Sequence, residues 1–196
     1  MRREFQSIKG YLQGLENCIT NAHSFLADHF QKNTIKRLAK ERPTLIFACC
    51  DWLVGPLLEC GVDKKNIYVM DIGKKYNCGI ISLSPFGLYH DVPNCGWRIY
   101  IGEKRVFYAT DTGHLTAITA KNYSLYLIEA NYQESDLEER IVEKTAAGQY
   151  IYEFRVAKYH LSKEQADEWL MKNMGANSRY EYLHGHIDKS NDWGYE

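Results

Sequence analysis

The sequence lacks any hydrophobic run that approaches the roughly 20 residues needed to cross a bilayer as a helix. Behind its first arginines it also lacks the apolar core of a signal peptide. We therefore expect a cytoplasmic protein with no membrane contact. An excess of charge is absent as well, since 24 lysines and arginines oppose 25 acidic residues for a formal net charge of −1. Because no global basic field attracts nucleic acid, any contact with a polyanion would be local.

The six cysteines contain no Cys-x-x-Cys pair, which argues against a zinc site built on thiolates. Five of the six lie beside apolar or small residues, where a reduced cysteine behaves as a small core residue. The sequence therefore predicts buried free thiols.

Strand and helix patterns alternate along the chain without repeats or low-complexity linkers. Apolar residues make up 45% of 196 residues, enough for a substantial core, so we expect one domain over residues 1–196. Strands are predicted at 16–20, 44–48, 66–70, 79–84, 97–101, 105–110, 125–129 and 179–183. Helices are predicted at 33–41, 52–60 and 134–150, and from a capping box at Ser162 to Gly175. This order predicts a layered α/β domain with helices on the outer faces of the sheets.

Histidines and acids stand where predicted elements begin or end. The clearest case is Asp111, which stops an apolar strand and opens a turn at residues 111–113. Such sheet rims are where α/β proteins place their chemistry. The same placement applies to four further residues: Asp28, His29, His90 and His184. Because neutral imidazoles with carboxylates are a ligand set of zinc, manganese or iron, we predict a metal site.

In order and wording these residues resemble the metallo-β-lactamase fold hydrolases, most of all the short versions found in bacteria and their phages. That family has an early HxHxDH motif, a lone histidine, an aspartate in a DTG-type turn and a final histidine after the last strand. His90 matches the lone histidine, Asp111 the bridging aspartate and His184 the closing ligand. His160, in a His-Leu-Ser sequence, matches the helix start of nuclease-like members. The resemblance runs from about residue 15 to residue 188 and implies an αββα sandwich.

The early motif departs from the family pattern. Residues 20–30 read TNAHSFLADHF, with Asn21 where a first histidine could stand and extra residues between His23 and Asp28. An alternative alignment pairs His23 with the first histidine and loses the second to Phe25. Either way, one imidazole is missing.

When the family's metal ligands are matched to this sequence, the resemblance implies one firm metal site and one weak or absent site. The firm site would take Asp28, His29, Asp111 and His184. The weak site would take at most His23, His90 and Asp111. Water can complete three protein ligands, but a ligand lost from a preset site weakens binding. We expect a divalent metal, with zinc first and manganese or iron as alternatives.

Family members usually begin with a few strands before the first metal motif, whereas residues 1–20 here read mostly as a charged, amphipathic stretch. We therefore expect the sandwich to lack the usual N-terminal strands. Uncovered sheet edges pair with another chain, so we expect a homodimer or a larger assembly.

The resemblance also implies a mechanism. A bound ion lowers the pKa of its water toward about 7, so that a metal-bound hydroxide attacks phosphorus or a carbonyl. Asp28 would orient or deprotonate the water, and His160 would donate a proton to the leaving oxygen or bind a phosphate. A plain helix-start histidine is the alternative for His160. Glu129 would hydrogen-bond a ligand imidazole or simply end its strand.

We expect a metal-dependent hydrolase of phosphodiester bonds, in nucleic acid or a cyclic nucleotide, because the His-Leu-Ser element resembles nuclease-like members. Its substrate would be a small molecule or nucleotide, with nucleic acid as a further possibility. One alternative is a hydrolase of thioesters, lactones or lactams. Another is an impaired or inactive protein of the same fold in a binding or assembly role, which the altered early motif favours. Five of the 15 tyrosines crowd the C-terminal part, where they would stack nucleobases or form amphipathic walls: Tyr150, Tyr152, Tyr159, Tyr180 and Tyr182.

Overall fold

The computed structural model describes residues 32–185, and the chain divides into two compact units after Tyr76. Predictions that concern residues 1–31 and 186–196 lie outside the described residues, including the early metal motif and the absence of N-terminal strands. The single domain over residues 1–196 also stays a prediction. Between residues 32 and 185, no helix is both long enough and apolar enough to span a membrane.

The described part of the first unit is a small α/β layer. It contains helix α1 (Lys32–Glu41), strand β1 (Phe47–Cys49), a 3₁₀ turn (Asp51–Leu53) that leads into α2 (Val54–Glu59), a second 3₁₀ turn (Lys64–Asn66) and strand β2 (Ile67–Val69). The two strands pair in parallel, with Phe47 opposite Ile67. Ile35 of α1 and Leu57 of α2 are buried against the strands, because each helix turns one apolar face inward. Three of this unit's cysteines are buried, as predicted: Cys49, Cys50 and Cys60.

The described part of the second unit is built on a six-stranded sheet whose strands follow one another in chain order. They are β3 (Tyr76–Cys78), which starts at the unit boundary, β4 (Ile81–Gly87), β5 (Cys95–Ile101), β6 (Lys104–Ala109), β7 (Leu125–Glu129) and β8 (Arg179–Leu183). Strands β4, β5 and β6 are antiparallel neighbours, whereas β6, β7 and β8 are parallel. In this unit Cys95 is buried, but Cys78 is exposed, contrary to the prediction.

Three helices complete the described second unit: α3 (Glu134–Ala146), α4 (Glu153–Tyr159) and α5 (Lys163–Asn173). The predicted capping box is present, since Ser162 accepts from the backbone of Gln165 and Gln165 reaches back to the backbone of Ser162. From α5, the Trp169 ring stacks on Phe107 of β6 with centroids 4.8 Å apart. The α5 face therefore covers one side of the sheet with an aromatic core. These elements make a mixed α/β protein, as the sequence predicts.

Strand direction brings several chain ends to one edge of this sheet. Because β5 is antiparallel to both β4 and β6, strand β4 runs in the same direction as β6, β7 and β8. The carboxyl ends of these four strands therefore share one edge, which we call the carboxyl edge. His90 follows β4, Asp111 follows β6, Glu129 ends β7 and His184 follows β8.

Candidate metal centre

Four side chains converge at the carboxyl edge: Asp111, Glu129, His160 and His184. One potential ligand atom of each lies within 4.8 Å of those of the other three. The carboxylates are buried, and the side chains of His160 and His184 are 11% and 26% exposed. We call this group the carboxyl-edge cluster.

Backbone geometry aims two of these side chains into the cluster. The backbone at Asp111 and His184 is in the left-handed region, with φ of 54° and 55°, a conformation that residues other than glycine rarely adopt. Asn94 donates to the carbonyl oxygen of Asp111 at 2.7 Å, and Asn131 donates to that of His184 at 3.0 Å. The chain therefore turns sharply just beyond β6 and β8, and side-chain amides hold both turns. Residues kept in such strained conformations cluster at functional sites.

Glu129 links the two histidines of the cluster through its carboxylate. Its side chain is fully buried, and its Oε1 lies 2.7 Å from Nδ1 of His160 and 3.0 Å from Nδ1 of His184. The other oxygen, Oε2, accepts from the backbone amides of Thr112 at 3.0 Å and Leu161 at 3.4 Å. Burial opposes the charged form, but the hydrogen bonds with both histidines outweigh it and hold the pKa of Glu129 below its ordinary value.

Asp111 is the second carboxylate that the imidazoles contact. Its Oδ1 lies 3.1 Å from Nδ1 of His184 and 3.7 Å from Nδ1 of His160. Burial disfavours a charged His184, but hydrogen bonds to Asp111 and Glu129 overcome it and raise the pKa of His184 to about 10. A ligand imidazole must be unprotonated, so a metal at this histidine would displace a proton.

His90 lies beside the cluster, with its ring centroid 5.4 Å from that of His160. Its Nδ1 is 2.8 Å from Oδ1 of Asp91, while Oδ2 of Asp91 accepts from Nε of Arg155 on α4 at 3.0 Å. Against the effect of burial, Arg155 and His90 hold the pKa of Asp91 below its ordinary value. Asp91 therefore lies between the His90 ring and the Arg155 guanidinium.

Two predicted ligands, Asp111 and His184, thus share one cluster, and a third, His90, adjoins it. The other predicted ligands, His23, Asp28 and His29, lie outside the described residues. His160, the predicted proton donor, joins the cluster, whereas His114 is exposed. The ligand roles themselves stay predictions.

Glu129 contacts the imidazole of the predicted ligand His184, which is one of the two roles expected for it, and it contacts His160 as well. It closes the apolar run at residues 125–129 as an acid, which repeats the pattern that marks Asp111. Two buried carboxylates and two imidazoles this close together fit a divalent transition metal such as zinc.

Sequence comparison relates this chain to a nuclease. No family model matches it. It is 30% identical over 139 residues to exodeoxyribonuclease WalJ from two strains of Streptococcus pneumoniae, a match that covers 67% of this chain and 48% of WalJ. The chain thus spans about half the length of the curated relatives it matches.

Structure comparison finds solved proteins of similar architecture. The metallo-β-lactamase fold protein YhfI of Bacillus subtilis aligns with a TM-score of 0.62 at 16% identity, over 86% of this chain and 65% of YhfI. Zn²⁺-bound PqqB of Methylobacterium extorquens aligns with a TM-score of 0.56 at 15% identity, over 85% of this chain and 60% of PqqB. Human short-form tRNase Z aligns with a TM-score of 0.51 at 9% identity, over 84% of this chain and 70% of the enzyme. At these identities the likeness is one of fold.

Proposed function

Because this chain has the metallo-β-lactamase fold, we propose that it is a metal-dependent hydrolase of phosphodiester bonds in nucleic acid. The observation that carries the proposal is the carboxyl-edge cluster, where buried Asp111 and Glu129 meet His160 and His184 within 4.8 Å. Clustered titratable groups that shift one another's pKa values are typical of catalytic sites.

Zinc is the metal that this donor set suits best, because zinc takes imidazole nitrogens and carboxylate oxygens. Asp111 and His184 would hold it, with His90, whose ring lies beside that of His160, as a further ligand. A divalent ion bound there would lower the pKa of a coordinated water, which is the nucleophile of the hydrolysis, and would supply positive charge beside the phosphate. The proton for the leaving oxygen would come from a side chain.

His160 serves as the proton donor to the leaving oxygen. Its Nδ1 lies 2.7 Å from Glu129 Oε1, so the proton on that nitrogen is engaged with the carboxylate. The opposite nitrogen, Nε2, is then the one that can donate to the substrate. Glu129, anchored by the Thr112 amide, keeps this ring in one orientation through turnover.

The substrate class draws support from the relative. WalJ is named an exodeoxyribonuclease, so DNA is the nucleic acid we propose. A general acid suits such a substrate, because the alkoxide that leaves from a sugar is a poor leaving group until it is protonated.

Leaving-group dependence tests the proposal. We expect the full chain to cleave a labelled DNA oligonucleotide and bis(p-nitrophenyl) phosphate when zinc or manganese is present, and to lose both activities in a chelator. His160→Ala should lower kcat on DNA by about 10²- to 10⁴-fold. On the p-nitrophenyl ester it should have a much smaller effect, because p-nitrophenolate leaves without a proton. His114→Ala, at an exposed histidine outside the cluster, is the control on the p-nitrophenyl ester. Equal losses on both substrates would contradict the role of His160, and metal-independent cleavage would contradict the proposed function.

A further inference from the structure

A continuous series of aromatic rings leads from solvent to the carboxyl-edge cluster. His114 stacks on Tyr89, with centroids 4.7 Å apart and planes at 23°. Tyr89 stacks on Tyr159 at 6.0 Å and 27°, and Tyr159 contacts His90 at 5.6 Å. His90 in turn contacts His160 of the cluster at 5.4 Å. Tyr89 therefore lies two ring contacts from the predicted ligand His90.

The backbone holds Tyr89 firmly against the turn that carries Asp111. The amide of Gly113 donates to the carbonyl of Tyr89 at 2.9 Å, and the amide of Tyr89 donates to the Thr112 hydroxyl at 3.1 Å. A Cβ on Gly113 would lie 2.1 Å from the carbonyl oxygen of Lys158 and 3.1 Å from the Tyr89 ring. This position requires glycine because three segments meet there. The turn that carries Asp111 into the cluster therefore also positions the Tyr89 ring.

The two outer rings of the series are exposed to solvent, and a cation lies over the third ring. Tyr89 is 43% exposed, and His114 is exposed as well. Exposed Lys158 places Nζ 5.0 Å from the centroid of the Tyr159 ring. A partly exposed aromatic ring with an ammonium group over the neighbouring ring is a combination with which proteins bind single-stranded nucleic acid, since the ring stacks a base and the cation contacts a phosphate.

We propose that Tyr89, backed by His114, is the stacking platform for a nucleobase next to the scissile phosphate, and that Lys158 contacts a backbone phosphate. The inference rests on the proposed function and narrows its substrate to single-stranded DNA or a frayed end, because a paired base is already stacked within its duplex. Every base presents a π face, so this platform discriminates little between sequences.

Binding of DNA in a chelator tests the platform independently of catalysis. We would measure fluorescence anisotropy with a labelled single-stranded oligonucleotide and with a matched oligonucleotide whose bases are replaced by abasic sites. Tyr89→Ala should weaken Kd for the normal oligonucleotide about ten-fold, whereas Tyr89→Phe, which keeps the ring, should stay within about two-fold of the native protein. Tyr68→Ala is the matched control, because Tyr68 is 44% exposed and lies in the other unit.

The abasic oligonucleotide separates stacking from a general defect. Native protein and Tyr89→Ala should bind it with equal Kd, since no base remains to stack. The platform is wrong if Tyr89→Ala binds normal DNA as tightly as the native protein does, or if Tyr89→Ala weakens Kd for the abasic oligonucleotide as much as for the normal one. It is also wrong if the native protein binds neither oligonucleotide. Metal-dependent cleavage of DNA by a protein that fails this test would leave the proposed hydrolase intact and remove only the platform.

Discussion

Replacing Glu129 with glutamine is the sharpest perturbation of the carboxyl-edge cluster, because it keeps the shape of the side chain and removes its charge. A glutamine oxygen can still accept from the amides of Thr112 and Leu161, as Oε2 does. Its NH₂ group must then face Nδ1 of His160 and Nδ1 of His184, which lie 2.7 Å and 3.0 Å from Oε1 in the native protein. Donors would meet donors wherever those nitrogens carry protons.

The magnitude follows from these two contacts. A hydrogen bond to a charged group contributes about 1.5–3 kcal/mol, so the pair contributes about 3–6 kcal/mol. Removing a charge from a fully buried position relieves part of that loss. We expect a net decrease of about 3 kcal/mol in the free energy of unfolding, which lowers Tm by roughly 6–12 °C in a domain of this size. Affinity for zinc should fall about 10- to 100-fold as the imidazoles lose their common partner.

Thermal unfolding with and without zinc measures the first effect, and competition with a chromogenic chelator measures the second. Glu138→Gln is the control, since Glu138 is exposed on α3 and a surface change of this kind alters stability by less than about 0.5 kcal/mol. If Glu129→Gln has the same Tm as Glu138→Gln and the same affinity for zinc, Glu129 does not organise the site and the reasoning fails.

Two further substitutions test the supports around the site. Gly113→Ala should destabilise the protein by about 2–3 kcal/mol in thermal melts, because its Cβ would meet the carbonyl of Lys158 at 2.1 Å; Gly55→Ala, with nothing within 4 Å, should cause no loss. Lys144→Met removes an ammonium group that lies 2.5 Å from buried Glu153 and holds the pKa of that carboxyl low. The free energy of unfolding should fall by about 1 kcal/mol near pH 7. Because the pKa of Glu153 is lower in the folded protein, its ionised carboxylate stabilises the fold at pH values above the ordinary glutamate pKa. Acidification protonates the carboxylate and removes this stabilisation, so the Tm values of the two proteins should converge below about pH 4. A constant difference in Tm would contradict the pairing.

Much of the fold could be predicted because its signals are local. The strands at 125–129 and 179–183 have the predicted bounds, and the capping box at Ser162 starts α5 as expected. Helix α4, at Glu153–Tyr159, has no such signal. It is seven residues long, and Val156 is its buried apolar residue. Its apolar residues do not repeat at a helical period, so the sequence predicts no helix there and extends the preceding helix to residue 150 instead of Ala146.

The site divides in the same way. Asp111 and His184 could be predicted because each ends an apolar run, and parallel strands bring such ends to one edge of a sheet. For Glu129 the sequence leaves two roles open, because local spacing does not show contacts with histidines 31 and 55 positions further along the chain. The Tyr89 platform depends equally on the close approach of Gly113 to Lys158, a tertiary contact.

Metal content per chain tests the central claim most directly. Native protein purified without chelator and equilibrated with zinc should retain about one equivalent or more after gel filtration, whereas Asp111→Asn and His184→Ala should each retain far less and melt at lower temperature. His114→Ala, at the exposed histidine, should retain as much as the native protein. Less than about half an equivalent in the native protein, or equal zinc in all four proteins, would show that these carboxylates and imidazoles do not hold a metal.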